Sequence, residues 1–195
     1  MMKDINPTAA KIADIAEKYI QCRGFNGFSF RDIQDELGIK TASIHYHYKT
    51  KQDLAIVVFE RYLERYKTAL TAIEQQNLTA TDKLKALANI FITVRNEGKL
   101  CLCGMYASDF YSLTDSLNIQ LDRFVAFNEQ WIEQVITAGI NNGEFSSQLI
   151  AIDAARLYFV SLEGCMLISQ FKDANYIQTV INNYFNVVLK VKPNI

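Results

Sequence analysis

Residues 28–54 read FSFRDIQDELGIKTASIHYHYKTKQDL, and this stretch decides the fold class. Ser29 precedes Asp32 by three positions, which is the spacing of a capping box and predicts a helix that starts near Phe30. A glycine soon after the last apolar position is a common helix stop, so Gly38 predicts the end of this helix after about two turns.

A further short helix is predicted to begin with Thr41 as its cap and to run to about Tyr48. Ile44 and Tyr48 are one helical turn apart and share one face, so we assign both to the core. Two short helices joined by a tight glycine turn are typical of a helix-turn-helix. In a helix-turn-helix the exposed face of the second helix lies in the major groove of DNA and contacts the bases.

The sequence on both sides of this stretch has helical spacing almost throughout. Asn6-Pro7 predicts the start of a first helix, because asparagine caps well and proline is tolerated at the first helical position. A long helix is predicted to start near Lys51, and a Thr79/Asp82 capping box predicts the start of another. Four further helical segments are predicted at about Cys103–Leu113, Asp115–Asn142, Leu149–Phe171 and Asn175–Val191. The predicted fold is therefore all-α, with about nine helices.

Composition and charge set broad limits on the class of protein. Half of the residues are hydrophobic, 21% are charged and the net charge is −1, which favours a folded chain over a disordered one. Residues 1–67 carry a net +2 and residues 68–195 a net −3, a weak asymmetry that fits a DNA-binding head on an acidic body. We find no signal peptide and no membrane span, so we expect a cytoplasmic protein with no membrane partner.

The ordered pattern over residues 8–55 resembles the DNA-binding signature of the TetR family of bacterial transcriptional regulators. The resemblance implies a three-helix helix-turn-helix unit at residues 1–52 and a helical ligand-binding and dimerisation domain at residues 53–195. It also implies a double-stranded DNA operator, a small-molecule effector and a homodimer as partners.

Carried over by position, the resemblance implies a set of DNA-binding residues at the start of the second helix, along the third and at the start of the fourth. His45 stands where the family usually has tyrosine, and Tyr48 stands where phenylalanine is commonest. The implied DNA-binding residues are Arg31, Thr41, Ala42, Ser43, His45, Tyr46, His47 and Lys51.

Several of these residues have an alternative interpretation that involves no DNA contact. Tyr46 could belong to the core, and Arg31 and Lys51 could be ordinary solvated charges. His45 and His47 are two positions apart on a helix and point in different directions, so we expect no metal site there.

The body resembles a sensor domain whose last two helices pack against their copies in a dimer. The alternative is that their apolar faces fill the core of one monomer. Aromatic residues with one polar tip suit a mostly apolar pocket, although most such residues are core. The candidate sensor residues are Cys101, Cys103, Tyr106, Phe110, Phe127, Trp131, Tyr158 and Met166.

The segment Leu100-Cys101-Leu102-Cys103-Gly104-Met105 is similar to one in electrophile- and oxidant-sensing members of the family. A thiol near a helix N-terminus has a lowered pKa and is more reactive. The alternative is that both cysteines are small buried hydrophobic residues.

The predicted function is a ligand-responsive transcriptional regulator, a repressor released from its operator by a small molecule or an electrophile. The alternative is a helical adaptor or a constitutive DNA-binding protein without ligand sensing. We find no phosphate loop, zinc-ligand spacing or nucleophile elbow, so we expect no enzyme activity, no cofactor and no metal.

Overall fold

A computed structural model of the protein describes residues 6–173 and 175–190. Within these ranges the chain is all-α: nine α-helices and no strand. The sequence prediction of the fold class is confirmed. The helices are α1 (Pro7–Arg23), α2 (Phe30–Leu37), α3 (Thr41–His47), α4 (Lys51–Glu74), α5 (Ala80–Asn96), α6 (Leu102–Ser108), α7 (Asp115–Asn141), α8 (Ala151–Ile168) and α9 (Tyr176–Asn183).

Short non-α segments follow several of these helices. A 3-10 turn follows α1 at Phe25–Gly27, another follows α6 at Phe110–Ser112, and a third follows α8 at Ser169–Phe171. A π-helical segment, Tyr184–Leu189, continues α9. The last helix predicted from the sequence ends at Val191, which lies outside the described residues.

Local sequence signals explain where α1 and α5 begin. The side chain of Asn6 accepts a hydrogen bond from the Thr8 amide at 2.9 Å, so it caps α1 as predicted. Thr79 accepts from the Asp82 amide at 3.1 Å and caps α5. In each case the capping oxygen satisfies a backbone donor that the helix itself leaves unpaired.

The capping prediction for α3 is wrong. Lys40 occupies the cap position and makes no capping hydrogen bond with its side chain, while Thr41 is already helical. The Thr41 hydroxyl instead donates to the side-chain oxygen of Gln34 in the preceding helix. Thr41 therefore ties α3 to α2 and does not cap its own helix.

The described chain forms two compact units. The first, which we call the head unit, contains the residues up to Lys67 together with Leu102–Leu121. The second, the body unit, contains Thr68–Cys101 and the residues from Asp122 onward. The boundary proposed from the sequence, between residues 52 and 53, falls in the first turn of α4, and as a boundary between folding domains it stays a prediction.

Each unit has its own apolar core. In the head unit Ile12, Ile33 and Ile44 are fully buried. In the body unit Leu84 and Tyr158 are equally inaccessible. No helix within the described ranges combines the length and the apolar character needed to cross a membrane.

Candidate nucleic-acid interface

Helices α2 and α3 are joined by a turn whose backbone conformation favours glycine. Gly38 has φ +66° and ψ +29°, the left-handed region that side chains with a Cβ disfavour. Its amide donates to the carbonyl oxygen of Gln34 at 2.8 Å, which closes the end of α2. The turn sets the direction in which α3 leaves α2.

The start of α2 is fixed by Ser29 and Asp32. The Asp32 carboxylate accepts hydrogen bonds from the amide and the hydroxyl of Ser29, at 2.7 and 2.6 Å. These bonds hold the pKa of Asp32 below its usual range. The predicted capping pair is confirmed at this position.

The end of α2 is pinned to α1. Glu36 accepts from the Tyr19 hydroxyl at 2.5 Å and from the Lys18 ammonium at 3.0 Å. The Tyr19 bond, followed by the Lys18 bond, lowers the pKa of the Glu36 carboxyl. The start of α2 is therefore fixed by its own cap and its end by two bonds to α1.

One face of α3 belongs to the core of the head unit. Ile44 is fully buried, and Tyr48, just after the helix, is nearly so. The Tyr48 hydroxyl donates to the carbonyl oxygen of Ala9 in α1 at 3.0 Å. Both residues were assigned to the core from the sequence, and the structure confirms this.

The opposite face of α3 is open. Tyr46 is 84% exposed, so it is not a core residue. Its ring lies edge-on to the ring of His47, with centroids 5.1 Å apart. Ala42, Ser43 and His45 are exposed as well, while Thr41 and His47 are half-buried.

The His45 ring is oriented by neighbours in the head. It lies edge-on to the ring of Phe30 at 5.0 Å, and its Nδ1 is 3.2 Å from the carbonyl oxygen of Lys49. Arg31 is exposed in the first turn of α2. A hydrogen-bonding imidazole and a guanidinium are both suited to base edges or phosphate oxygens.

Lys51 is engaged inside the head. Its ammonium donates to the carbonyl oxygen of Phe28 and lies 4.1 Å from the centre of the Phe28 ring and 4.6 Å from that of Phe25. Burial lowers the pKa of this lysine. A phosphate contact by Lys51 stays a prediction, and the ammonium already has a structural partner.

The eight candidate sensor residues are divided between the two units. Cys103, Tyr106 and Phe110 belong to the head unit, and the other five belong to the body unit. Tyr106 and Tyr158 are fully buried, and their hydroxyls donate to the carbonyl oxygens of Ala55 and Leu84 at 2.9 and 2.7 Å. Met166, Cys101 and Cys103 are also buried, Phe127 is half-buried and Phe110 is 49% exposed.

Two cavities are found in the body unit. The larger, of about 640 Å³, lies beside Arg95, whose Nε donates to the Ser169 hydroxyl at 2.9 Å. The smaller, of about 580 Å³, is bordered by Glu74, Trp131 and Glu144. The Trp131 indole nitrogen donates to the Glu74 carboxylate at 2.7 Å. Of the candidate sensor residues, Trp131 is the one that borders either of these two cavities.

Sequence reasoning did not assign a role to Glu163, which interrupts the apolar run of α8. One carboxyl oxygen is buried and has no hydrogen-bond partner within the described part of the chain. Burial, and then the charge and hydrogen bond of the neighbouring Cys101 thiol, raise the pKa of Glu163 well above its ordinary value. An acidic residue within the apolar second half of α8 was the signal that could have indicated it.

The comparisons with known proteins agree with this geometry. Residues 12–58 match the family model described as bacterial regulatory proteins, tetR family. The chain is 23% identical over 176 residues to an HTH-type transcriptional regulator of Staphylococcus aureus, a match that covers 83% of this chain and 95% of that protein.

Solved structures give the same result. A TetR transcriptional regulator from Legionella pneumophila is 30% identical, with a TM-score of 0.83, over 97% of this chain and all of that one. A TetR-family regulator from Agrobacterium tumefaciens shares the fold, with a TM-score of 0.88 at 22% identity, over 96% of this chain and all of that one. With its exposed recognition helix on a pinned three-helix head, the chain belongs to the TetR family of DNA-binding transcriptional regulators.

Proposed function

We propose that the protein is a dimeric repressor released from its operator by a small molecule. The observation that carries the DNA-binding part is the contrast between Ile44, fully buried, and Tyr46, 84% exposed, on one seven-residue helix. A helix held by one face and open on the other can enter a major groove without disturbing the core.

We propose that α3 reads base edges and that its neighbours contact phosphates. The small side chains of Ala42 and Ser43 allow close approach to the groove, and Tyr46 and His47 present aromatic rings with polar atoms. Arg31 would reach the DNA from the first turn of α2. The full proposed set is the one implied by the sequence: Arg31, Thr41, Ala42, Ser43, His45, Tyr46, His47 and Lys51.

The proposed dimer would use an apolar face on α8 and α9. Leu157, Val160, Leu167 and Ile168 are large apolar residues of α8 that are exposed in the single chain, and Val187 continues the pattern after α9. Large apolar side chains exposed together on one helix are typical of an interaction site. Two heads in one dimer would reach half-sites about 34–36 Å apart on the same side of the DNA.

The proposed effector would bind in the body unit. Both cavities described there have volumes typical of sites for small molecules, which range over about 300–1,000 Å³. The cavity at Trp131 combines an indole with two carboxylates and includes a residue proposed from the sequence as a sensor. The effector can shift the DNA-binding equilibrium only by the difference in its affinity for the two conformations of the protein.

An electrophile is a second candidate effector, because Cys101 and Cys103 lie at the start of α6. Cys101 is only 3% exposed, so an electrophile would have to wait for a local opening of the structure. Mass spectrometry after a limited exposure to N-ethylmaleimide tests this, with exposed Cys22 as the internal reference. Modification of Cys101 or Cys103 together with loss of DNA binding would support electrophile sensing, and modification of Cys22 alone would exclude it.

Selection of duplexes from a random-sequence pool, followed by footprinting on the DNA upstream of the gene, tests the whole proposal. We expect an enriched inverted repeat, bound in a salt-sensitive manner and lost in the Tyr46→Ala variant. Binding of all duplexes with equal affinity would overturn the proposal that the protein is a repressor and would favour an adaptor. A selective complex that no compound dissociates would identify a constitutive DNA-binding protein.

A further inference from the structure

A carboxylate from outside the family signature holds the corner of the DNA-binding head. The corner is the link between α1 and α2, from Gly24 to Phe28. Oδ2 of Asp109 accepts from the Phe25 amide at 2.7 Å and from the Asn26 amide at 3.4 Å. Oδ1 of the same residue accepts from the Asn26 side-chain amide at 2.7 Å.

A second residue of the same segment adds to these bonds. Asn26 also donates to the Ser112 hydroxyl at 2.8 Å, and the carbonyl oxygen of Ser112 accepts from the Gln52 side chain at 2.6 Å. Asp109 and Ser112 therefore connect the α1–α2 corner to the start of α4. We call the set Asn26, Gln52, Asp109 and Ser112 the corner clasp.

The backbone at the corner is shaped to admit the carboxylate. Gly24 has φ +82°, a conformation that favours glycine, and a Cβ at this position would lie 2.8 Å from Oδ2 of Asp109. The Phe25 ring packs against Tyr106 of α6, with centroids 6.4 Å apart. The polar contacts of Asp109 and Ser112 and the apolar contact of Tyr106 thus hold the same corner, and all three residues lie in Leu102–Leu121.

The corner leads directly into the recognition helices. Phe28, its last residue, offers its carbonyl oxygen to Lys51, and Ser29 begins the capping pair of α2. A displacement of the corner would shift the start of α2 and, through the Gly38 turn, the orientation of α3. Groups that recognise a ligand must be held close to their productive geometry by the residues that support them, so a small displacement weakens binding.

We infer that Asp109 is a positioning residue for DNA recognition: it touches no DNA, and it sets the orientation of α2 and α3 through the α1–α2 corner. The inference rests on the operator binding proposed above. It assigns a DNA-affinity role to a segment, Leu102–Leu121, that lies outside the 12–58 match to the family model.

The test uses the duplex that the wild-type protein selects from a random-sequence pool and an unrelated duplex of equal length. We expect Asp109→Ala to bind the selected duplex at least tenfold more weakly and the unrelated duplex within twofold of wild type. Non-selective binding depends on the cationic side chains that contact phosphates, and the variant keeps all of them. The lost carboxylate removes one negative charge, which would strengthen binding to either duplex slightly, so a weakening confined to the selected duplex is not a charge effect. Asp109→Asn keeps one acceptor and should lose less affinity than Asp109→Ala.

Two further variants separate positioning from a loss of stability. Ser112→Ala removes one hydrogen bond of the corner clasp and should weaken binding of the selected duplex about threefold at a temperature where the variant is fully folded. If Asp109→Ala does not fold, this variant tests whether the clasp affects DNA affinity. The double variant Asn26→Ala/Asp109→Ala should lose less affinity than the product of the two single losses, because both changes break the bond from the Asn26 side-chain amide to Oδ1 of Asp109. The matched control is Ser108→Ala, whose hydroxyl donates only to the Met105 carbonyl oxygen within α6.

The outcomes distinguish the two claims. No duplex enriched by the wild-type protein would overturn the proposed function, and this inference with it. A selective wild type with folded Asp109→Ala and Ser112→Ala variants that bind within twofold of it would overturn this inference alone. Equal weakening on both duplexes would also overturn it, because a positioning residue acts on selective contacts.

Discussion

The ammonium of Lys51 donates a hydrogen bond to the carbonyl oxygen of Phe28 and lies 4.1 Å from the centre of the Phe28 ring. We expect Lys51→Met to lower the free energy of unfolding by about 1–3 kcal/mol, because the carbonyl loses a charged partner. Chemical denaturation measures this loss. Lys49→Met, a change at an exposed lysine nearby, is the control and should change stability little.

The same variant tests the predicted phosphate contact of Lys51. A lost phosphate contact reduces the slope of log affinity against log salt concentration by about 0.9. A reduced slope in Lys51→Met would show that the ammonium also serves the DNA, and an unchanged slope would leave it a structural role only.

Tyr46→Ala should reduce affinity for the selected duplex by at least tenfold while the melting temperature stays within a few degrees of wild type. The ring is 84% exposed, so its removal creates no cavity in the head. Band shifts and thermal unfolding measure the two effects. Ile44→Ala is the contrasting variant, expected to lose about 2–5 kcal/mol of stability because Ile44 is fully buried.

Val160→Glu should convert the proposed dimer to monomers. Val160 is 65% exposed on the apolar face of α8, and a charge buried there without a partner opposes association. Sedimentation velocity measures the change. Ile119→Glu, at a similarly exposed apolar residue of α7, is the control, and dissociation by the control as well would argue against the α8 face.

Tyr158→Phe should lower the free energy of unfolding by about 1–3 kcal/mol, because the buried carbonyl oxygen of Leu84 loses its donor. Burial raises the pKa of Tyr158, as expected for a hydroxyl kept from water. An effector that still dissociates the Tyr158→Phe variant from DNA at the same concentration would argue against a sensor role and leave this core residue a structural role alone. A changed effector affinity with unchanged stability would instead support its predicted sensor role.

Glu163→Gln should remove a pH dependence of stability. The pKa of Glu163 is raised in the folded protein, so the unfolded chain releases this proton first, near its ordinary value of 4.5. The contribution of this group to stability is therefore complete below about pH 4.5 and is lost as pH rises towards the folded pKa. Denaturation from pH 4 to pH 8 should show a decline in wild type that is smaller in Glu163→Gln, and parallel curves would contradict the expectation.

Features that depend on neighbouring residues along the chain could be predicted from the sequence. The capping roles of Asn6, Ser29 and Thr79 and the stop at Gly38 follow from residue type and local spacing. The capping role given to Thr41 was wrong because its hydroxyl found a partner in Gln34, in another helix. The spacing of residues along the chain does not show that Gln34 would be close enough to accept this hydrogen bond.

The exposed residues of α3 could be predicted, because the positions of Ile44 and Tyr48 fix the buried face and leave Tyr46 outside. The body was harder to predict, because a buried tyrosine and a pocket tyrosine have the same sequence pattern. Tyr106 and Tyr158 each bond a backbone carbonyl across the fold, and only tertiary packing reveals those acceptors. The bonds of Asp109 to Phe25 and Asn26 span more than eighty positions and left no local signal.

The placement of Leu102–Leu121 with the head unit has a consequence for chimeric regulators. A fusion that joins this head to a foreign body at a single splice in α4 would leave Asp109 and Ser112 behind. The transplanted α1–α2 corner would then meet whatever residues the foreign body supplies at that place. A graft designed to carry the operator preference intact would transfer two separate pieces of the chain, the second of which replaces the foreign equivalents of α6 and of the start of α7.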